Sequence, residues 1–370
     1  MKKWSLFIGS YSGIKVFVHW TFWIIVGWIF MMHFQMGHGW KEAMIGALFI
    51  IILFGCVVLH EFGHALTAKK YNIPTRDITL YPIGGVASLE RMPEKPAQEL
   101  AVALAGPAVN LVIAGILYIF LYANNQLLSI SEIDHMGGKN FLFNLMAANL
   151  ILAVFNLIPA FPMDGGRVLR ASLAFRMDKL KATNIATRVG QVLAIVFVFL
   201  GFFSNFWLVL IGIFIFWGAG AEAAVENAKS VLVGHRVRDI MINQYSSLPP
   251  EEKLENAVGL LQNTQEQGIV VEENNKVLGI LTRKELVKGL SEYGAHYPIS
   301  KIMRENYPRL SPETPLTEVY QYFAVGKLTL APVLENEQVI GIVDIQGINE
   351  LISIENSRPK RLIKSMERKN

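Results

Sequence analysis

The sequence predicts a polytopic α-helical membrane protein with about six transmembrane helices, followed by a soluble C-terminal α+β domain. Of its 370 residues, 52% are hydrophobic and only 17% are charged, whereas soluble domains carry about 25% charged residues. Long apolar runs fill the chain up to residue 228, and beyond that point charged residues are frequent and apolar runs are short. We therefore expect residues 1–228 in a membrane, residues 229–354 in water and a basic tail over 355–370.

Six apolar stretches are long enough for membrane-spanning helices, which require about 20 residues each. The connections before the first stretch, after the second and after the fourth are rich in lysine and arginine, and the alternate connections are poor in them. Because basic connections remain in the cytoplasm, we expect a multi-pass protein of the cell membrane with both termini and the soluble domain cytoplasmic. The stretches lie near residues 16–35, 43–69, 97–123, 140–161, 184–203 and 205–228.

The connection from Ile73 to Pro96 has a different pattern. Its apolar residues are interrupted by Pro82 and by Gly84-Gly85. This pattern predicts a short hairpin or a bent strand at the membrane surface. A connector that dips into the lipid headgroups is the alternative.

Charge and cysteine content exclude two features. The net charge of +4 is too small to indicate a nucleic-acid partner. Cys56 is the single cysteine of the sequence, so the chain forms no intrachain disulfide.

The second apolar stretch contains the run His60-Glu61-Phe62-Gly63-His64. On a helix, residues four apart lie on one face, so both imidazoles can reach one metal ion. Neutral imidazoles suit zinc, and Glu61 beside them can take a proton from a water and later deliver it to a leaving amine. Ionisable side chains in an apolar helix are costly unless they pair or bind a ligand. We therefore expect a metal site rather than a cluster of polar contacts between helices.

A catalytic zinc site usually has three protein ligands and one open position, and Asp164 is the best candidate for the third ligand. Two prolines precede it and two glycines follow it, so the backbone there departs from a regular helix. The alternative is that Asp164 caps the helix that begins near Gly166. Asn156 could donate a hydrogen bond to the substrate carbonyl or the developing oxyanion, or to a neighbouring helix.

Three motifs follow one another in the membrane part. They are His60-Glu61-Phe62-Gly63-His64, Gly106-Pro107 with Asn110, and Asn156 with Pro159, Pro162 and Asp164-Gly165. In this order they resemble the site-2 protease family of intramembrane zinc metalloproteases, and the resemblance covers the whole membrane part.

The resemblance implies one zinc ion per chain, held by His60, His64 and Asp164. It implies that Glu61 is the general base and acid and that Asn156 positions the substrate. The expected substrate is a single-span membrane protein, for example an anti-sigma factor or a similar regulator, that is cut near the cytosolic leaflet.

The same resemblance implies how the substrate is held. The segment 73–89 would pair with an unwound substrate, which adds to it as an extra strand.

The soluble part contains an internal repeat. Gly279-Ile280 recurs as Gly341-Ile342, an offset of 62 residues (341 − 279 = 62), and Ile240-Met241 recurs at the same offset. Each copy has the pattern strand, helix, strand, strand, helix, the first over 235–291 and the second over 296–354. The repeat resembles a tandem pair of CBS (cystathionine beta-synthase) domains.

The CBS resemblance implies an adenine nucleotide bound between the copies by a hydroxyl and, three residues later, a carboxylate. The first copy has Thr282 and Glu285 at these positions, and the second has Asp344 and Gly347. Because Asp344 would repel a phosphate, we expect at most one competent cleft. A module for homodimerisation or docking is the alternative.

Two functions of different classes are compatible with these patterns. The first is a zinc protease with a CBS module attached, and the second is a CBS-gated membrane transporter or channel. Inverted repeats and several charged pore residues would favour the transporter, and the sequence has neither. The basic tail could bind anionic membrane lipid, or it could be solvated.

Overall fold

The structure, a computed structural model, describes residues 4–37, 39–82, 84–89, 92–127, 140–264, 266–274, 276–326 and 328–358. The chain divides into two compact units, Met1–Ala224 and Val225–Asn370. The predicted basic tail over 355–370 lies outside the described residues from position 359 onward.

Helices dominate the first unit, as the sequence predicts. Four of its described helices, α2, α3, α6 and α7, are long and apolar enough to cross a membrane, and α1 and α4 are shorter apolar helices of 14 and 16 residues. The predicted class of a polytopic helical membrane protein is confirmed. The helices are α1 Phe22–Gln35, α2 Trp40–Lys70, α3 Pro96–Ala123, α4 Phe141–Asn156, α5 Asp164–Ala174, α6 Lys179–Phe203 and α7 Phe206–Leu232.

The first predicted span, residues 16–35, is wrong over its first part. A strand occupies Ile14–His19, and the helix begins only at Phe22. Ile14, Val16 and Val18 are buried, and the residues between them are more exposed. Alternation with a period of two is the pattern of a half-buried strand, but a window of 20 residues averages it into an apolar run.

A four-stranded sheet accompanies the helices of the first unit. Its order is β1-β2-β3-β4, with antiparallel pairs at both ends and a parallel pair in the middle. The hairpin predicted between Ile73 and Pro96 is therefore confirmed, whereas the hairpin at the N-terminus was not predicted. The strands are β1 Ser5–Tyr11, β2 Ile14–His19, β3 Thr75–Tyr81 and β4 Gly84–Leu89.

The sheet is attached to α2. Ile14 of β2 and Ile78 of β3 form a small buried cluster with Ala65 of α2. This packing brings the edge strand β4 to the helix that carries the two histidines.

The connection between α6 and α7 is a tight turn, as predicted. The helices end and begin within a few residues of Ser204-Asn205. A Cβ atom at Gly201 would lie 2.6 Å from the backbone nitrogen of Val209, so the close approach of the two helices requires glycine at this position.

The second unit contains the predicted repeat. In the first copy Gly268 pairs with Thr282, and in the second Leu330 pairs with Asp344, which reproduces the offset of 62 residues (330 − 268 = 62; 344 − 282 = 62). Val270 and Ile280 of the first copy are buried in one cluster with residues of the second, so the copies pack on each other. The elements are β5 Ser247–Leu248, α8 Leu254–Asn263, β6 Gly268–Glu273, β7 Lys276–Thr282, α9 Arg283–Tyr293, α10 Leu316–Gly326, β8 Leu330–Glu335, β9 Gln338–Asp344 and α11 Ile345–Ser357.

Candidate metal centre

Three potential metal ligands meet inside the first unit. His60 and His64 lie one turn apart on α2, and Asp164 is the first residue of α5. The distance between the two Nε2 atoms is 3.1 Å, and Asp164 Oδ2 lies 3.2 Å from His60 Nε2 and 3.1 Å from His64 Nε2. All three side chains are buried, with exposed fractions of 6%, 4% and 7%.

Neighbouring oxygen atoms fix the tautomer of each histidine. His60 Nδ1 hydrogen-bonds Asn110 Oδ1, and His64 Nδ1 lies 2.7 Å from the carbonyl oxygen of Val102. A carbonyl oxygen can only accept, so we assign the ring proton of each histidine to Nδ1. The Nε2 atom of each histidine then directs a lone pair toward the other Nε2 atom and toward the Asp164 carboxylate. Three electron-rich atoms this close repel one another, and a proton or a metal ion among them would offset the repulsion.

The triangle of ligand atoms fits a zinc ion. A tetrahedral zinc with ligands at about 2.0–2.1 Å separates its ligand atoms by about 3.3 Å, close to the 3.1–3.2 Å separations found here. Three protein ligands leave one position for a water. A Cβ atom at Gly106 of α3 would lie 2.2 Å from His64 Nε2 and 2.6 Å from His60 Nε2, so glycine keeps this space open.

Glu61 lies beside the triangle and contacts the edge of the sheet. Its Oε2 accepts a hydrogen bond from the backbone N–H of Ala87 at 3.2 Å. A Cβ atom at Gly85 would lie 2.8 Å from Glu61 Cγ. Strand β4 therefore runs directly past the candidate acid–base residue.

An irregular segment aims Asp164 at the histidines. The segment between α4 and α5 contains the cis peptide Phe161-Pro162, and a Cβ atom at Gly165 would lie 2.2 Å from the carbonyl oxygen of Ile158. The turn therefore closes tightly onto the start of α5. The N-cap position belongs to Met163, and the Asp164 carboxylate points toward the two imidazoles.

Asn156 occupies a different position from the triad. It is the last residue of α4, and its Nδ2 donates to the carbonyl oxygen of Leu152 at 3.0 Å. Within the described part of the chain, its side chain hydrogen-bonds its own helix rather than a member of the triad. The predicted contact with substrate stays a prediction.

A polar chain lies behind His60 and begins with Asn110 of the second motif. Asn110 Nδ2 donates to Asn149 Oδ1 at 2.8 Å, and Asn149 Nδ2 donates to the carbonyl oxygen of Leu145 at 2.8 Å. Asn110 and Asn149 are both fully buried. A buried amide within an apolar helix requires partners, and this is the signal that could have identified both residues.

In the second unit, the four candidate nucleotide positions lie at the N-termini of two helices. Thr282 is the N-cap residue of α9, and its hydroxyl donates to the Glu285 carboxylate. Asp344 is the N-cap residue of α11, and its carboxylate accepts from the backbone N–H of Gly347 at 2.8 Å. The capping role explains an aspartate at position 344 without any ligand.

A cavity of about 550 Å³ opens beside Asp344 and Gly347. No basic side chain is found among the described residues that line it. It contains four carboxylates, those of Asp239, Glu266, Asp344 and Glu350.

Two family models match the chain. The model of peptidase family M50 matches residues 48–130 and 125–197, and the model of the CBS domain matches residues 237–292 and 299–353. The chain is 34% identical over 280 residues to the zinc metalloprotease MJ0392 of Methanocaldococcus jannaschii, which covers 75% of this chain and 78% of the relative. The chain belongs to peptidase family M50. The site-2 proteases are members of this family, so both resemblances given by the sequence are confirmed.

Other proteins are similar to this M50 chain over most of its length. The protein sll0528 of Synechocystis sp. is 29% identical over 365 residues, which covers 92% of this chain and 93% of the relative. Among solved structures, the site-2 protease from Methanocaldococcus jannaschii is 36% identical, with a TM-score of 0.45, and covers 60% of this chain and 95% of that chain.

Family membership decides between the two functions that the sequence left open. The M50 chain is an intramembrane zinc metalloprotease with a CBS module, and not a CBS-gated transporter. It is a membrane protein, and its family implies zinc as the cofactor.

Proposed function

We propose that the chain hydrolyses peptide bonds of single-span membrane proteins at one zinc ion bound by His60, His64 and Asp164. One observation carries the proposal: the three ligand atoms lie within 3.2 Å of one another while both Nδ1 atoms are engaged elsewhere. Bound zinc supplies Lewis acidity, which polarises a carbonyl and makes water more acidic.

Glu61 acts as the general base and general acid in this scheme. Its carboxylate takes a proton from the attacking water and then delivers it to the nitrogen of the leaving amine. His60 and His64 each hydrogen-bond an oxygen acceptor through Nδ1, which leaves Nε2 to bind the ion. Asp164 supplies the negative charge that offsets the ion.

The substrate is unwound and adds as a strand to the free edge of β4. Helical hydrogen bonds would otherwise shield the scissile carbonyl, and strand addition supplies replacement partners for the backbone. Two observations support this step: β4 is the last strand of the sheet, and its Ala87 N–H contacts Glu61. Asn156 then donates to the substrate carbonyl or the oxyanion after its amide leaves Leu152.

The orientation follows from the distribution of basic residues. Both termini and the CBS module face the cytoplasm, and cleavage occurs near the cytosolic leaflet. The substrate class that we propose is a membrane-anchored regulator, such as an anti-sigma factor.

The CBS module regulates the protease by binding an adenine nucleotide at the cleft of Thr282 and Glu285, or by pairing two chains into a homodimer. The acidic lining of the other cavity disfavours phosphate there, because like charges repel in a partly enclosed site.

Zinc content and cleavage of a model single-span substrate, measured together on detergent-purified protein, test the proposal. We expect the wild type to bind one zinc per chain and to cut, Glu61→Gln to keep zinc but lose cutting, and Asp164→Asn to lose zinc or bind it weakly. Glu292→Gln, an exposed residue of α9, is the control and should cut normally. Cutting by Glu61→Gln, or unchanged zinc in Asp164→Asn, would overturn the proposal.

A further inference from the structure

A buried ion cluster joins three helices beside the metal centre. Arg170 of α5 is only 1% exposed, and its Nε and Nη2 lie 2.7 and 2.6 Å from Oε1 of Glu99 in α3. Its Nη1 donates to Glu222 of α7 at 2.7 Å. The guanidinium carbon also lies 5.0 Å from the centre of the Phe161 ring, in the segment that leads to Asp164.

Stability alone is a weak reason for such a cluster. Removing charged groups from water costs about as much as their mutual attraction returns, and well-packed apolar residues of similar volume serve stability at least as well. Charges inside a membrane protein are costly and usually functional. The best-attested benefit of a buried ion pair is that it fixes the register of the elements it joins.

The cluster connects the two halves of the metal centre. Helix α3 carries Glu99 and also the three positions that touch the histidines. Those positions are the Val102 carbonyl oxygen, the Gly106 backbone and the Asn110 side chain. Helix α5 carries Arg170 and, six residues earlier, Asp164. The Arg170–Glu99 pair therefore fixes the spacing between the helix that orients the histidines and the helix that supplies the carboxylate.

The short length of α5 makes this connection effective. The helix has 11 residues, and Asp164 lies about 9 Å along its axis from Arg170 at 1.5 Å per residue. A helix of this length rotates as one body, so a displacement at Arg170 is passed to the Asp164 carboxylate. The contact between Arg170 and Glu222 also restrains α5 relative to α7.

We propose that Arg170 is a positioning residue of the metal centre, and that its ion pairs with Glu99 and Glu222 hold α5 at the orientation in which Asp164 Oδ2 completes the ligand triangle. Arginine is required because two of its N–H groups reach the same carboxylate oxygen of Glu99 while a third reaches Glu222. A lysine has a single nitrogen and cannot bridge both helices in this way. The inference rests on the proposed zinc site.

The test compares metal binding with stability in full-length protein. The double variant Arg170→Met with Glu99→Leu replaces the main ion pair by apolar side chains, so it should keep the melting temperature within a few degrees of wild type. We expect its zinc affinity to fall about 10-fold or more, in the range known for residues that orient ligands. The absorption spectrum of the cobalt-substituted protein should shift, and kcat should fall more than KM rises.

Two further variants complete the test. Glu222→Gln removes only the negative charge of the partly buried Glu222, and we expect it to shift the cobalt spectrum in the same direction by a smaller amount. The exposed pair Arg309 and Glu337, replaced by Met and Leu, is the matched control and should leave zinc affinity unchanged.

The outcomes separate the two proposals. If the wild type binds no zinc, the proposed function fails. If the wild type binds zinc and the Arg170 double variant retains both the zinc affinity and the cobalt spectrum of wild type, the positioning role is overturned. Should the double variant not fold, the same result for Glu222→Gln overturns it.

Discussion

His60 and His64 each have both ring nitrogens occupied in the proposed centre. The Nε2 atoms face the ion, and the Nδ1 atoms are held by Asn110 and by the Val102 carbonyl oxygen. Partners of this kind set the tautomer and raise the basicity of the ligand, so their loss weakens metal binding. The centre therefore depends on α3, which supplies no metal ligand.

Gly106 provides a sharp test of this dependence on α3. We expect Gly106→Ala to fold but to lose most of its zinc, because the new methyl group would lie 2.2 Å from His64 Nε2. Zinc content and the melting temperature of purified protein are the measurements. Gly115→Ala on the same helix meets no atom within 4 Å and should keep full zinc. Full zinc content in Gly106→Ala would contradict the geometry of the centre.

The residues of the centre differ in how far the sequence could predict them. His60, Glu61 and His64 were predictable because helical spacing fixes their common face. Asp164 was predictable as a carboxylate at an interrupted helix. The amide of Asn110 in an apolar helix indicates that it needs a partner. Which partner it contacts, and the role of Arg170, could not be predicted, because both depend on how α3, α4, α5 and α7 pack and local patterns do not contain that packing.

At the scale of elements, β4 is the last strand of the four-stranded sheet and lies beside the candidate acid–base residue. The Ala87 N–H donates to Glu61, and the same edge is where we propose that the substrate adds. A proline at this position would remove the N–H donor and block pairing along the edge.

We therefore expect Ala87→Pro to bind zinc like wild type and to lose cleavage of the model substrate. Val86→Thr, at an exposed position of the same strand, is the control and should cut. Zinc stoichiometry and substrate cleavage are measured in parallel. Normal cleavage by Ala87→Pro would exclude β4 as the substrate edge.

The helices and strands also show where prediction from the hydropathy pattern failed. Hydropathy windows detected the long helices but merged β2 with α1, because strand alternation over Ile14–His19 is short and precedes an apolar helix directly. The β3–β4 hairpin was predictable, since Pro82 and Gly84-Gly85 interrupt its apolar residues. The N-terminal strand β1 lacks such a signal and is defined by its pairing with β2.

At the scale of the whole molecule, the repeat in the second unit makes its two clefts unequal. Thr282 and Asp344 are equivalent by the 62-residue offset and by strand pairing. Thr282 carries a hydroxyl group, whereas Asp344 carries a carboxylate. The repeat itself was predictable because the offset is constant along the sequence. The acidic lining of the cavity beside Asp344 was not predictable, because the cavity combines residues from both copies.

This asymmetry predicts at most one adenine nucleotide per chain. We expect Thr282→Val to abolish nucleotide binding, because the hydroxyl at the competent cleft is lost, and Asp344→Ala to leave it intact. Isothermal titration of the full-length protein with ATP measures both the stoichiometry and the affinity. Two nucleotides per chain, or loss of binding in Asp344→Ala, would contradict this interpretation of the clefts.

The central claim is a zinc ion held by two histidines and one aspartate inside the membrane part of the chain. X-ray absorption at the zinc edge, on full-length wild-type protein, measures its ligands most directly. The account predicts one zinc per chain with two imidazole ligands, oxygen as the remaining ligand type and no sulfur. A sulfur ligand from Cys56, fewer than two imidazoles, or protein free of zinc would contradict it.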